Sequence, residues 1–244
     1  MAIIKPSTTS DSSASRIAEQ RVREWTIKLE AQRRRFELAS SSELPVDIHP
    51  YIAISREAGA GGAAIARRVG ELLGWDVLHR ELLDHMAEKY DLSRSMLGLI
   101  DEKTSNWIVE VFGKWLDPRL VTQTEYIVHL GQIVLLAAQH TSTIFVGRGA
   151  QFFLPAEQGL SVYLVAPLAE RIRCVRNTRN CSESEARRYI RERDRGRRDL
   201  VRNHFNKEIG DPHLYDLVIN RAHTSLDEAA ELIAAQCRCR FADI

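Results

Sequence analysis

Long apolar runs are missing from this sequence. None reaches the ~20 residues that a membrane helix needs, so no membrane span is expected. Cysteine is scarce. Its four positions, Cys174, Cys181, Cys237 and Cys239, form neither a disulfide framework nor a paired zinc knuckle. Cys237 and Cys239 have no further ligands clustered beside them and read as thiols on a terminal helix. Surplus charge is missing too. A net charge of +1 gives no global field that would call for nucleic acid or an anionic membrane. The chain starts Met1-Ala2-Ile3-Ile4-Lys5 and then turns Ser/Thr-rich, without the apolar stretch of a secretory signal. A reduced, cytoplasmic setting is expected. The eight histidines show no ligand spacing, and His79 alone stands where a site residue could be.

What is present suits one globular core. Of 244 residues, 44% are hydrophobic and 27% charged, which allows one sizeable domain and a short appendage. Residues 1–15 are too poor in large apolar groups to offset the entropy of ordering, and read as a disordered tail. Residues 16–48 read as an amphipathic helix and a polar linker. Val22, Trp25, Leu29 and Phe36 recur there at roughly helical spacing. That stripe must dock on the main domain, the preferred reading, or on a second copy of the chain. The domain proper is expected over 49–244.

Within it, apolar β-prone runs alternate with helical patterns. Strands are expected at Tyr51–Ile54, Trp75–Leu78, Thr143–Val146, Ser161–Val165 and Leu217–Ile219. Helices fall between them, with a helical insertion over 93–117 carrying Trp107, Phe112 and Trp115. Capping boxes are read at Thr122-x-x-Glu125, Ser182-x-x-Glu185 and Ser225-x-x-Glu228. Such alternation implies a parallel sheet covered on both faces.

The first strand runs into a glycine loop, Ser55-Arg56-Glu57-Ala58-Gly59-Ala60-Gly61-Gly62, and then a helix. In that context the backbone amides of the loop and the helix N-terminus make an anion site. Ser55, Gly59, Ala60, Gly61 and Gly62 are therefore candidate phosphate-binding residues. The loop departs from Gly-x-x-x-x-Gly-Lys-[Ser/Thr]. Arg56 falls at its first glycine, Gly62 at its lysine and Ala63 at its hydroxyl. Arg56 is the candidate to carry the missing positive charge, against the plainer reading of a surface salt bridge. Arg80 and Arg148 follow the second and third strands, at the strand ends where open α/β sheets bind ligands. The stretch Arg187–Arg202 carries eight arginines against Glu192, Asp194 and Asp199. It reads as a helix laced with ion pairs, in which one or two arginines act, foremost Arg191, Arg195 and Arg198.

Two segments together resemble the cytidylate kinase-like family. One is Ile54 to Gly62 with Ile65-Ala66. The other runs from Ile144 onward, through Val146-Gly147-Arg148-Gly149, Glu170-Arg171, Glu192-Arg193-Asp194-Arg195 and Tyr215 to Asn220. His79-Arg80-Glu81-Leu82-Leu83 is similar to a further step of that family, with His79 in place of a common Asp. Gly149 likewise replaces an Asp. The likeness covers residues 50–236 in broad terms. It implies a P-loop NTPase-type three-layer α/β/α fold, with a five-stranded parallel sheet and a helical Arg-rich lid. It further implies transfer of the ATP γ-phosphate to a nucleoside monophosphate, CMP or dCMP favoured, with Mg²⁺ held by ligands still to be named. The roles it implies are catalysis for Arg56, Arg191, Arg195 and Arg198, and acceptor binding for Arg80 and Arg148. The altered loop keeps a second reading open, a nucleotide-binding regulatory module without turnover. A nucleic-acid interface on the Arg187–Arg202 face ranks last, because that stretch lacks interleaved aromatics.

Overall fold

The computed structural model describes Gln20 and residues 48–89 and 121–242. The expected tail, the linker and insertion over 93–117, and, apart from Gln20, the amphipathic helix lie outside the described residues. Five strands form one parallel sheet in the order β2-β3-β1-β4-β5. They are β1 (Tyr51–Arg56), β2 (Asp76–His79), β3 (Thr143–Val146), β4 (Gly159–Val165) and β5 (Leu217–Asn220). The helices are α1 (Gly62–Leu73), α2 (Arg80–Lys89), α3 (Val121–His140), α4 (Leu168–Arg179), α5 (Glu183–Phe205) and α6 (Leu226–Arg240).

Side chains of a strand alternate between faces, and here the alternation sorts the core into two layers. Ile52 and Ile54 of β1, Ile144 and Val146 of β3, and Leu160, Val162 and Leu164 of β4 pack under α1 and α6. Tyr51, Ala53 and Phe145 face the other way, onto Leu130, Ile133, Val134 and Ala137 of α3. A sheet covered on both faces needs near-continuous apolar strands, and β1 is buried from Tyr51 to Ser55. This is the three-layer α/β/α arrangement expected above.

Boundaries differ where local pattern is a poor guide. Ser55 and Arg56 belong to the strand and not to the loop, because β1 stays in register with β4 through the pair Arg56 and Leu164. The loop is therefore Glu57 to Gly61. Thr122 lies within α3, whose described residues begin at Val121. The Thr-x-x-Glu spacing is also that of neighbours on a helix surface, so the pattern does not mark an end by itself. Ser182 and Ser225 do form full capping boxes, with Glu185 and Glu228.

Helix α5 has an unusual burial pattern. Ala186 and Ile190 are buried near its start, Val201 and Phe205 near its end, and nothing between them is fully buried. The first pair packs with α4 residues Ile172 and Val175, whereas Phe205 joins the α3 layer. The helix is thus anchored at both ends. Its polar middle crosses the carboxyl end of the sheet.

Glycine in a helix interior normally costs about 1 kcal/mol relative to alanine. Gly70 of α1 is an exception, because an added Cβ would meet Val77 Cγ2 at 2.7 Å and the Trp75 carbonyl oxygen at 2.9 Å. Around Gly196 of α5 a Cβ would meet nothing within 4 Å. Gly70→Ala is therefore expected to lower stability by about 1–2 kcal/mol through overpacking. Gly196→Ala is expected to raise it by up to about 1 kcal/mol. Urea unfolding midpoints check both signs.

Candidate active site

The connection from β1 to α1 is built on left-handed glycines. Gly59 has φ 85° and Gly61 has φ 83°. At Gly59 a Cβ would lie 2.6 Å from the Arg171 carbonyl oxygen, so only glycine fits. Gly61 opens α1 and supplies no side-chain cap. Amide groups of the first helical turn are thereby left for an external acceptor, at the positive end of the helix dipole. Ala60 turns its amide inward, onto the Glu57 carbonyl at 3.2 Å.

A network of charged groups holds this loop. Asp194 Oδ1 accepts the Ala58 N–H at 2.8 Å, and its Oδ2 takes Arg171 Nη1 at 2.5 Å. Arg197 Nη1 donates to the Arg56 carbonyl at 2.8 Å and lies 3.6 Å from Asp194. Glu57 accepts the Ala166 N–H at 2.9 Å and stands 3.6 Å from Arg171. Asp194 thus pairs with Arg171 and Arg197. The residue four positions on, Arg198, is exposed.

Across the site, β3 ends in three successive left-handed residues, Gly147, Arg148 and Gly149, with φ 84°, 63° and 68°. A non-glycine residue held there is strained, and such strain concentrates at functional sites. Gly149, where the likeness expected an acid, has no room for one. Its Cβ would meet Phe205 Cε2 at 2.7 Å. The turn lays the Arg148 side chain on Asp84 of α2 as a bidentate pair. Asp84 also accepts from Tyr126 Oη at 2.8 Å and lies 3.3 Å from Arg80 Nε. Burial opposes ionisation of Asp84. The Arg148 hydrogen bonds and charge, with Tyr126 and Arg80, outweigh it and hold the carboxyl below its ordinary range.

Between these two networks lies a cavity of about 230 Å³, lined by Ser55, Arg56, Arg80, Arg148, Glu192, Arg193 and Arg197 among others. Five arginines and one glutamate on one small cavity make a strong positive field. Arg56 feels it most. Burial, then the charges of Arg197, Arg80 and Arg148, push its pKa down to about 9 against the opposing charge of Glu81. Its side chain crosses the α1 start and Gly147, at both of which a Cβ would strike it. The reading of Arg56 as a surface salt bridge is therefore set aside. Arg197 is also lowered by burial despite Asp194, and its Nε is buried without a hydrogen-bond partner.

Of the residues expected from sequence, Ser55, Arg56, Arg80 and Arg148 meet on this cavity. Gly59, Ala60, Gly61 and Gly62 are not part of its lining; Gly62 adjoins it through the Arg56 stem and Gly59 packs on Arg171. Arg191, Arg195 and Arg198 lie exposed on the outer face of α5, while Arg193 and Arg197 line the wall. Sequence reasoning passed over Asp84, Arg171 and Arg197. One signal was available for Asp84, its i,i+4 spacing from Arg80. His79 is half-buried at the end of β2. Burial lowers its pKa, against Glu81 and with help from Arg56 and Arg67.

The pattern of an all-parallel sheet, a glycine loop and an arginine-lined crevice has known relatives. The family model described as cytidylate kinase-like matches residues 51–223. The chain belongs to the cytidylate kinase-like family. That membership makes it a protein of the nucleotide-kinase type. A cytidylate kinase of Thermococcus kodakarensis is 27% identical over 157 residues, which is 63% of this chain and 79% of the relative. An uncharacterized protein from Eubacterium ventriosum shares the fold, with a TM-score of 0.64 and 22% identity over 78% of this chain and 99% of that one. Among the described residues of this cytidylate kinase-like chain, no helix is long and apolar enough to cross a membrane.

Asp84 ionises at lower pH in the folded chain than in the unfolded one. Its pairing therefore stabilises the fold above the ordinary carboxylate pKa of about 3.9 and fades as pH falls below that value. Asp84→Asn is expected to cost about 2 kcal/mol at pH 7. The gap in urea midpoint between the native chain and the variant should narrow at pH 3. A gap independent of pH would contradict the assigned ion pair.

Proposed function

We propose that this chain transfers the γ-phosphoryl group of ATP to a nucleoside monophosphate, with CMP or dCMP the favoured acceptor. The observation that carries this reading is the excess of guanidinium charge around one cavity beside the phosphate loop. Arg56 and Arg197, whose pKa values are lowered by burial and by neighbouring arginines, call for anions beside them, and two phosphorylated substrates supply them. The preference for a cytosine base rests on the family and on the Thermococcus kodakarensis relative.

Phosphoryl transfer calls mostly for positioning and charge neutralisation. In this reading the amides of Gly61 and Gly62 hold the donor phosphates at the start of α1. Arg56, packed on Gly62, stands in for the absent lysine and meets the charge that develops on the transferred group. Arg193 and Arg197 close the same wall from α5. Arg80 and Arg148, braced by Asp84, hold the phosphate of the acceptor, whose oxygen attacks the γ-phosphorus as ADP departs. Arg191, Arg195 and Arg198 would join only if α5 turned about its axis, and are assigned a solvated role here.

Mg²⁺ is implied by the family. The described residues contain no group of three His, Cys, Asp or Glu side chains that could hold a metal ion. Glu57 and Asp194 are committed to loop contacts. The oxygens left on the cavity are Ser55 Oγ, within 3.3 Å of Gln151 Nε2, and Glu192. This sparse set suits an ion carried in mainly by phosphates and water. When bound, it would add charge neutralisation at the donor phosphates.

The test is ADP release with ATP, Mg²⁺ and a panel of nucleoside monophosphates, alongside calorimetric ATP binding. Acceptor-dependent release is expected, largest with a cytidine nucleotide. ATP binding without release under any acceptor would favour the regulatory-module reading, for which the missing lysine and hydroxyl at Gly62 and Ala63 speak. Arg56→Met is expected to lower kcat about 10²–10³-fold, as loss of one transition-state donor does. Arg148→Ala should raise the acceptor KM at least about tenfold while leaving ATP affinity near native. Equal loss for both substrates would remove Arg148 from the acceptor site.

A further inference from the structure

The connection from β5 to α6 carries a cation that the reaction outlined above leaves unused. Arg221 follows directly on β5, and its main-chain N–H donates to the Val165 carbonyl at 2.8 Å. That bond fixes the start of the connection against the end of β4. The side chain runs back toward the phosphate loop. Its Cζ and Nε lie 3.8 Å from the point that a Cβ on Gly61 would occupy, and Leu226 Cδ2 lies 2.6 Å from the same point. Two of its nitrogens, Nε and Nη1, are buried with no hydrogen-bond partner. A guanidinium stays charged in proteins, and buried donors left without acceptors are costly.

The carboxylates in the first turn of α6 are already engaged. Asp227, in the first turn of α6, pairs with Arg68 at 3.4 Å. Glu228 folds back on the Ser225 N–H at 2.7 Å to close the capping box. Neither is bonded to Arg221. The orphan nitrogens thus sit beside a helix start that has no cap, in a loop that lacks its lysine. Arg56 packs on Gly62 and Arg221 packs on Gly61.

We propose that Arg221 is a donor-site residue, whose Nε–H and Nη1–H bind a phosphate oxygen of the donor nucleotide at the N-terminus of α1. This rests on the reading of the loop as the donor-phosphate site. Arg221 positions and neutralises the polyphosphate. It takes no part in acceptor binding, because Arg80 and Arg148 stand at the ends of β2 and β3, on the far side of β1 in the sheet. The charge that the loop lost at Gly62 is returned from the other edge of the sheet, by a residue outside the loop.

The probe is inorganic tripolyphosphate with Mg²⁺, which has phosphates and no base. Its binding and that of ATP are measured by calorimetry on the full native chain, Arg221→Met and Arg221→Gln, with urea midpoints for each. Both variants should bind tripolyphosphate about tenfold more weakly than the native chain, as loss of a charged fork predicts. ATP affinity should fall by a similar factor, with the acceptor KM unchanged. The Arg221→Met midpoint should not drop, since the two unpaired nitrogens go with the substitution. Should the Met variant fail to fold, the Gln variant carries the test. Native affinity for tripolyphosphate in the variants would overturn the proposal. Weaker ATP binding with unchanged tripolyphosphate binding would assign Arg221 to the base or ribose and overturn it equally. A native chain that binds neither ligand would refute the donor-site reading itself, and this inference with it.

Discussion

Repulsion among guanidinium groups is the constraint around which the carboxyl end of this sheet is arranged. Five arginines face one cavity of about 230 Å³. Each would gain by moving into water, and the fold keeps them by giving most a fixed partner. Asp84 takes Arg148 and Arg80. Asp194 takes Arg171 and stands near Arg197. Removing one partner of a buried pair costs far more than the pair contributes, so these two carboxylates are structural keystones even though neither need touch a substrate. Arg56 is the member with the least compensation, and its depressed pKa of about 9 records it.

The backbone makes this crowding feasible. A loop with ordinary side chains could not bring Arg171 of α4 so near, because a Cβ at Gly59 would strike that residue's main chain. The left-handed run Gly147–Arg148–Gly149 does the same at the end of β3. Strain of about 1–3 kcal/mol for a non-glycine residue there is offset by the two-pronged bond from Arg148 to Asp84. The rigidity behind both turns comes from the apolar layers. Ile54 and Val146 are buried three residues and one residue before the turns begin, which holds the strand ends in place.

The layers were legible in the sequence because buried parallel strands leave a strong trace. Tyr51–Ile54, Thr143–Val146 and the alternation through Leu160–Leu164 speak for themselves, and β3 was read to the residue. Rotation of α5 was not read, although the signal was present. Ile190 and Val201 are its buried residues on either side of the polar middle. Counting from Ile190 at helical spacing gives Arg193, Asp194 and Arg197 on the inward side and Arg191 and Arg195 off it, whereas Arg198 falls at the margin of that side, three residues before Val201. In so Arg-rich a stretch, charge hides the phase that two apolar residues define. Asp84 escaped for another reason. Its partners Tyr126 and Arg148 are 42 and 64 residues away, and no local pattern carries that information.

The loop without lysine becomes intelligible in the same terms. A lysine on the first turn of α1 supplies one mobile charge from inside the loop. Here Gly62 leaves the space in which the Arg56 stem lies, since a Cβ there would come within 2.8 Å of Arg56 Cγ. Loss of the lysine and the buried course of Arg56 are thus one steric fact. A side chain at position 62 and the present path of Arg56 exclude each other. Restoring the lysine alone would displace Arg56 into a cavity wall already crowded with Arg80, Arg148 and Arg197. The two positions form a unit, in which the stem of a rigid planar cation takes the space that the side chain of a flexible point charge would need.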